Sequence, residues 1–319
     1  MNIYDIAKQA GVSIATVSRV LNNKGTVSQA TRERVEAVLR KHHYTPSAIA
    51  RGMVSKSLRT VAVLTVDIRV PHYARTAYTI EQEFSRLGYE VILCNTGGNR
   101  EAALRYLHAV TEKQVDGMVL VGSVFNEIGR DPDVEPLLRL QPVVLANGQL
   151  ELDNACSVVV DDEAGIGLAV GHLLERGRER LVYFKELDTA SARRKRDGFL
   201  KIACGQGTVL NIENGQQGVW QLLNAGVEFD AIVCGEDLTA AQAVKALTAA
   251  GIRIPQQVAV TGYNNSEYAR LCNPGLTTVD NKPEEVATAC VQLLEAKMSG
   301  QAAPDQLVIR PELRIGEST

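Results

Sequence analysis

From Thr60 onward the chain alternates short apolar runs with helical stretches, and this alternation leaves few folds open. The runs fall at 61–66, 90–95, 117–121, 143–147, 158–161, 181–184, 231–234, 258–262 and 276–279. Most are continuous Val, Ile and Leu, which describes strands covered on both faces, as in parallel sheets flanked by helices. Helical stretches at 78–87, 101–112, 164–176, 238–250 and 283–299 lie between them. Nine runs exceed one comfortable sheet, so two similar halves are expected, parted near 149–155, where the sequence is polar and has no apolar period. Ligands of such sheets bind beyond the carboxyl ends of the strands, and two facing halves would line one shared cleft.

The first 59 residues have another texture. Ile3, Ile6, Ala7 and Ala10 recur at helical spacing, with Asn2 placed to cap the helix. Gly11-Val12-Ser13 ends it in a turn that glycine enters easily, and Ser13 can cap a second helix. In that helix Ile14 or Ala15, Val17, Val20 and Leu21 alternate with Thr16, Ser18 and Arg19. Two short helices about a tight turn make a helix-turn-helix, whose second member fits the DNA major groove; an ordinary helical hairpin is the competing reading. A third helix is expected over 31–42, with Thr26-Val27-Ser28 offering its cap, Val35, Val38 and Leu39 facing the pair and Pro46 stopping it. Residues 47–54 are too short for a helix stable alone in water. They read either as a flexible linker or as a helix that orders only against DNA and a partner copy. Charge separates the two ends of the chain. Residues 1–59 hold ten Lys/Arg against three Asp/Glu, a net of +7 on a chain whose net charge is −3, leaving −10 for the rest. A basic head on an acidic body is the footprint of a nucleic-acid-binding module joined to something else.

Composition bounds the rest. An apolar share of 45% and a charged share of 22% are those of a soluble globular protein of two or three domains. No apolar run approaches the roughly 20 residues of a membrane span. The polar start of the chain predicts no secretory signal. Cys94, Cys156, Cys204, Cys234, Cys272 and Cys290 form no C-x-x-C pair, and four sit in apolar runs, which reads as reduced thiols in a cytoplasm. His42 and His43 fall at a helix end and His108 and His172 within helices. With no H-E-x-x-H, P-loop, G-x-S-x-G or Cys/His cluster, neither a metal, a cofactor nor a catalytic nucleophile is expected.

The chain resembles the LacI/GalR family of bacterial repressors. The likeness rests on nine fragments in the family's order: IYDIAKQAGVSIATVSRVLNN, VSQATRERVEAVL, HYTPSAIARGM, VDGMVLVGS, VVVDDEAGIGLAVGHLLERG, SARRKRDGF, GIRIPQQVAVTGYNN, NPGLTTVDN and RPELRIGEST. It implies an all-α helix-turn-helix domain over 1–46 and a hinge helix and linker over 47–59. Beyond these it implies an α/β periplasmic-binding-protein-like core of two doubly wound parallel-sheet subdomains over 60–319. Its first subdomain is expected at about 60–147 and 277–300, its second at about 156–271 and 305–319. The resemblance further implies a cytoplasmic homodimer, or a tetramer, on a near-palindromic operator, with a small effector setting DNA affinity. No heptad helix follows Glu312, which favours the dimer.

Arg19 offers the two-pronged donor that matches guanine in the major groove. Ile14 and Ala15 match the positions by which the family chooses operators; being apolar, they suit a thymine methyl and donate no hydrogen bond. Asn2, Tyr4, Ser13, Thr16, Ser18 and Asn22 suit phosphates, which fix register without reading sequence. Met53 matches the family's minor-groove wedge, usually leucine, and with Ala50 is expected to act from paired hinge helices. The family's effector positions match Asp67, His72, Tyr73, Ser123, Asn147, Thr189, Ser191, Lys195, Glu236 and Asn264. Lys195 stands where arginine is commonest, Asn264 where aspartate is usual and Glu236 where asparagine is usual. The run Arg193-Arg194-Lys195-Arg196 suits a phosphate or carboxylate, or is a solvated helix face. The segment 200–216 is shorter than the family's, similar to its trehalose-repressor branch, where the ligand is a phosphorylated disaccharide. Trp220 follows it, to stack on a ring ligand or to fill a core. The expected function is therefore a repressor of a carbohydrate operon answering to a sugar or sugar phosphate. A purine or nucleoside, with Tyr73 stacking on the base and Asn264 reading its edge, is the second possibility. A solute-binding protein and a DNA-tethered α/β enzyme are the competitors from other classes.

Overall fold

The computed structural model describes residues 3–21, 25, 27–42, 57–205 and 207–319. It divides into two compact units, Met1–Arg59 and Thr60–Thr319. In the first, α1 (Ile3–Ala10), α2 (Ile14–Leu21) and α3 (Gln29–Lys41) bury Ile6, Ala7, Ala10, Val17, Val20 and Val35 against one another. Gly11 ends α1 at φ +62°, and Val12 N–H reaches back to Ala7 O at 3.0 Å, closing the last turn through a left-handed residue. Ser13 caps α2 by accepting from Thr16 N–H at 3.2 Å, and Ser28 caps α3 in the same way.

The second unit runs β1 (Thr60–Thr65), α4 (Pro71–Arg86), β2 (Glu90–Asn95), α5 (Arg100–Glu112), β3 (Gly117–Val121), α6 (Phe125–Ile128), α7 (Glu135–Leu138), β4 (Val143–Ala146) and β5 (Ala155–Val160). Next come α8 (Asp162–Glu175), β6 (Leu181–Lys185), α9 (Ala190–Ala203), β7 (Gly207–Asn211), α10 (Gly215–Asn224), β8 (Ala231–Cys234), α11 (Asp237–Ala249), β9 (Ala259–Tyr263), α12 (Glu267–Leu271) and β10 (Thr277–Asp280). It closes with α13 (Pro283–Met298), β11 (Gln306–Ile309) and β12 (Glu312–Arg314). The strands form two sheets, ordered β11-β5-β4-β3-β1-β2 and β12-β10-β9-β8-β6-β7, parallel throughout except where β12 pairs with β10. Period-two alternation sorts the side chains. Val61 and Val63 pack with Ile80, Phe84 and Leu294 on one face of the first sheet, while Ala62 and Leu64 pack with Leu107, Phe125 and Leu138 on the other. The second sheet is covered likewise, by α10 and α11 on one face and α8 and α9 on the other.

The pairing moves the expected subdomain limits. Residues 155–160 close the first sheet, since Val143 pairs with Ala155, and β11 extends that sheet from Gln306↔Ser157 to Ile309↔Val160. Thr277–Asp280 belongs to the second sheet, where Thr277 pairs with Thr261. The polar stretch near 149–155 joins two neighbouring strands of one lobe. The chain passes between lobes at 160–162, 280–283 and 309–312. Four of the six cysteines, Cys94, Cys156, Cys234 and Cys290, are buried, and all six are free thiols. Among the described residues no helix is long and apolar enough to cross a membrane.

Candidate functional site

On the head, burying Val17 and Val20 turns the opposite side of α2 outward. Ile14, Ala15 and Arg19 are exposed there, as are Ser13 just before the helix and Tyr4 on α1, while Thr16 and Ser18 are half-buried. Ser13 Oγ lies 3.0 Å from Thr16 Oγ1 in addition to capping the helix. Asn2, Asn22, Ala50 and Met53 lie outside the described residues.

In the second unit the carboxyl ends of the strands converge on a cleft between the lobes, as parallel sheets dictate. Ser123 follows β3, Asn147 follows β4, Glu236 follows β8, Asn264 follows β9 and Asn281 follows β10. An inner cavity of about 70 Å3 opens on an outer one of about 490 Å3, and both are lined by His72, Tyr73, Thr189, Glu236 and Asn264. Ser123, Asn147, Ser191 and Lys195 line only the inner cavity and Asp67 only the outer one. Trp220, for which the sequence leaves stacking on a ring ligand and filling a core both open, lines neither cavity. It sits on α10 and is 38% exposed, because α10 meets the core through Val219 and Leu222 instead.

Lys195 is 6% exposed; its Nζ donates to Gly235 O at 2.9 Å, lies 3.8 Å from the centre of the Tyr263 ring and 3.9 Å from Glu236 Oε1. Asn264 Nδ2 donates to Glu236 Oε2 and lies 3.4 Å from His72 Nδ1, while Asn264 Oδ1 accepts from Asn281 Nδ2 at 2.9 Å. Burial raises the Glu236 pKa, against the pull of Lys195 and the Asn264 hydrogen bond. Burial also drives His72 down to about 3, helped by Lys195 and Arg75 and opposed by Asp162. Behind the cavity Asp162, 1% exposed, accepts from Tyr263 OH at 3.0 Å and Arg194 Nη2 at 2.8 Å. Asp237 accepts from Ser266 N–H at 2.7 Å and Thr278 Oγ1 at 2.5 Å, yet burial still lifts it to about 6. Asp67 at the mouth is lowered to about 2 by hydrogen bonds from Arg69.

Of the cationic run on α9, only Lys195 points into the cavity. Arg193 pairs with Glu127, Arg194 with Asp162, and Arg196 with Asp197 at 2.6 Å. Several contacts cross between lobes: Ser191 N–H donates to Ser123 Oγ at 3.2 Å, and Arg75 Nη1 donates to Asn265 O at 3.2 Å. Asn147, Asn264 and Asn265 take positive φ of 60°, 98° and 45°, strained backbone that polar short side chains tolerate and that clusters at binding sites. Sequence reasoning passed over Asn281, Asp162 and Tyr263. The signal available for Asn281 and Asp162 was their position at or just past the ends of β10 and β5. Among the described residues no group of His, Cys, Asp and Glu is arranged to hold a metal ion. The cleft gathers hydrogen-bonding groups around a cavity, which is equipment for holding a polar molecule.

A three-helix head with a helix-turn-helix, followed by two parallel-sheet lobes about a polar cleft, is the architecture of a transcription regulator. The comparisons agree. Residues 2–47 match the profile of bacterial regulatory proteins, lacI family, and residues 170–319 that of a periplasmic binding protein-like domain. An HTH-type transcriptional regulator of Lachnoclostridium phytofermentans is 31% identical, covering 100% of this chain and 99% of that protein. The HTH-type transcriptional repressor PurR of Yersinia enterocolitica is 30% identical over 98% of this chain and 94% of its own length. The lac repressor dimer bound to operator and the anti-inducer ONPF shares the fold, with a TM-score of 0.89 at 24% identity, covering 100% of this chain and 98% of that one. The chain belongs to the lacI family of bacterial transcriptional regulators.

Proposed function

We propose that the protein is a cytoplasmic, homodimeric repressor of a carbohydrate-utilisation operon. It binds a near-palindromic operator through the exposed face of α2, and a sugar-class effector in the cleft sets its affinity. The observation that carries this reading is the set of polar side chains at the strand ends, disposed about one cleft and contributed by both lobes. An effector touching both lobes favours one closure over another, and operator and effector then change each other's affinity by the same factor. Two features weigh against a nucleoside. Tyr73 already packs on the His72 ring, centroids 3.9 Å apart, and Asn264 has both ends of its amide engaged.

Fluorescence anisotropy of the full chain on a library of palindromic and random duplexes tests the reading. A salt-sensitive preference for one palindrome, altered by a sugar in the cleft, is the expected result. Equal binding to all duplexes at every salt concentration would refute it.

A further inference from the structure

If the cleft holds an effector, as proposed above, its charges restrict which one. Among the described residues, the cations around the cleft already face carboxylates: Arg69 to Asp67 at 2.7 Å, Arg194 to Asp162 at 2.8 Å, Lys185 to Asp188 at 3.3 Å, Lys195 to Glu236 at 3.9 Å, and Arg193 to Glu127. Two further carboxylates of the lining have only hydroxyl or backbone donors: Glu186 accepts from Thr239 Oγ1 at 2.5 Å, and Asp237 is held by Ser266 and Thr278. His72, neutral through burial, adds no positive charge. An anion entering here meets carboxylates and finds its would-be cations taken.

The hydrogen-bonding groups point the same way. Asn281 lines the inner cavity and is 8% exposed; its Nδ2 is given to Asn264, but its Oδ1 is buried without a partner. A buried acceptor left unmet is unfavourable, and a ligand hydroxyl would satisfy it. On the other side of Asn264 stands the Glu236 carboxylate, a second acceptor fixed by its neighbours. Two acceptors flanking one amide suit a ligand with neighbouring O–H donors. We propose that Glu236 and Asn281 select an uncharged, hydroxyl-rich effector, a sugar without phosphate or carboxylate, and that Glu236 is the residue that turns phosphorylated sugars away.

The test is calorimetric titration of the full chain with free pentoses, hexoses and disaccharides, each beside its phosphate ester, and with inorganic phosphate, adenosine and guanosine. At least one free sugar should bind, its ester about tenfold or more weaker, and inorganic phosphate not at all. Glu236→Gln should weaken the sugar about tenfold and narrow the gap to its ester; Asn281→Leu should weaken sugar and ester alike. Melting of each variant without ligand reports whether it is folded. The sugar-against-ester comparison in the parent protein stands without either variant. An ester that binds more tightly than its sugar overturns the inference while leaving a ligand-responsive regulator intact, as do nucleosides as the only hits or no binding of any free sugar. Loss of selective operator binding would strike the regulator reading instead.

Discussion

His72 ties the cleft's geometry to stability in a way that pH can read. Its side chain is 17% exposed and its pKa falls from 6.5 to about 3, first through burial and then through Lys195 and Arg75. A group with a depressed folded-state pKa contributes stability that is fully present above its unfolded pKa and is lost as pH falls. The unfolded chain takes up the His72 proton below about pH 6.5 while the folded chain refuses it. At pH 5 this favours unfolding by about 2 kcal/mol, and at pH 7.5 by almost nothing. Asp237 works in the opposite sense. Raised to about 6, it lets the folded state bind the proton first, adding about 1.5 kcal/mol of stability at pH 5 relative to pH 7.5. The raised Glu236 acts in the same direction as Asp237 and the lowered His172 in the same direction as His72, so the parent protein's own pH profile mixes opposing groups and does not isolate His72. His72→Gln isolates the histidine, because glutamine keeps a neutral acceptor near Asn264 and does not titrate. Trp220, the only tryptophan, lies in the second unit and gives its unfolding a fluorescence signal separate from the head. Relative to the parent, His72→Gln should gain about 2 kcal/mol, or about 4 °C in Tm, between pH 7.5 and pH 5. Parallel profiles for parent and variant would show that His72 titrates as if in water, and would refute the buried, neutral ring.

Arg194→Met should destabilise the second unit by about 3–5 kcal/mol in urea melts, because it leaves the carboxylate of Asp162 buried without its cation. Gly215→Ala should cost about 3 kcal/mol by the same measure, since a Cβ there would stand 1.9 Å from the Thr239 carbonyl oxygen, which is backbone and cannot step aside. Arg19→Ala should weaken the best palindrome by about 1–3 kcal/mol in anisotropy at fixed salt and flatten preference at one base pair of each half-site; uniform weakening across all duplexes would assign Arg19 to a phosphate instead.

What the sequence makes legible is local, and what it hides is long-range. The central strands show because they are buried on both faces and therefore read as unbroken apolar runs. The outer strands β7, β11 and β12 escape because one side of each is wet; Gln306–Ile309 alternates exposed and half-buried residues and contains no such run. The subdomain limits slip for a related reason: nothing within 155–160 says that its partner is Val143–Ala146 rather than a strand of the other lobe. The same divide runs through the site. Arg193, Lys195 and their neighbours are four consecutive cations in the sequence, but successive helical residues point about 100° apart, so one of them enters the cavity and the others leave it. Their fate is then decided by residues far along the chain: Glu127 from the first lobe meets Arg193, Asp162 from the preceding helix meets Arg194, and Glu236 from the end of another strand meets Lys195. A run that reads as a phosphate grip becomes, once folded, a set of satisfied ion pairs. On the proposal made above, ligand choice then falls to acceptors that lie far from this run in the sequence, Glu236 and Asn281.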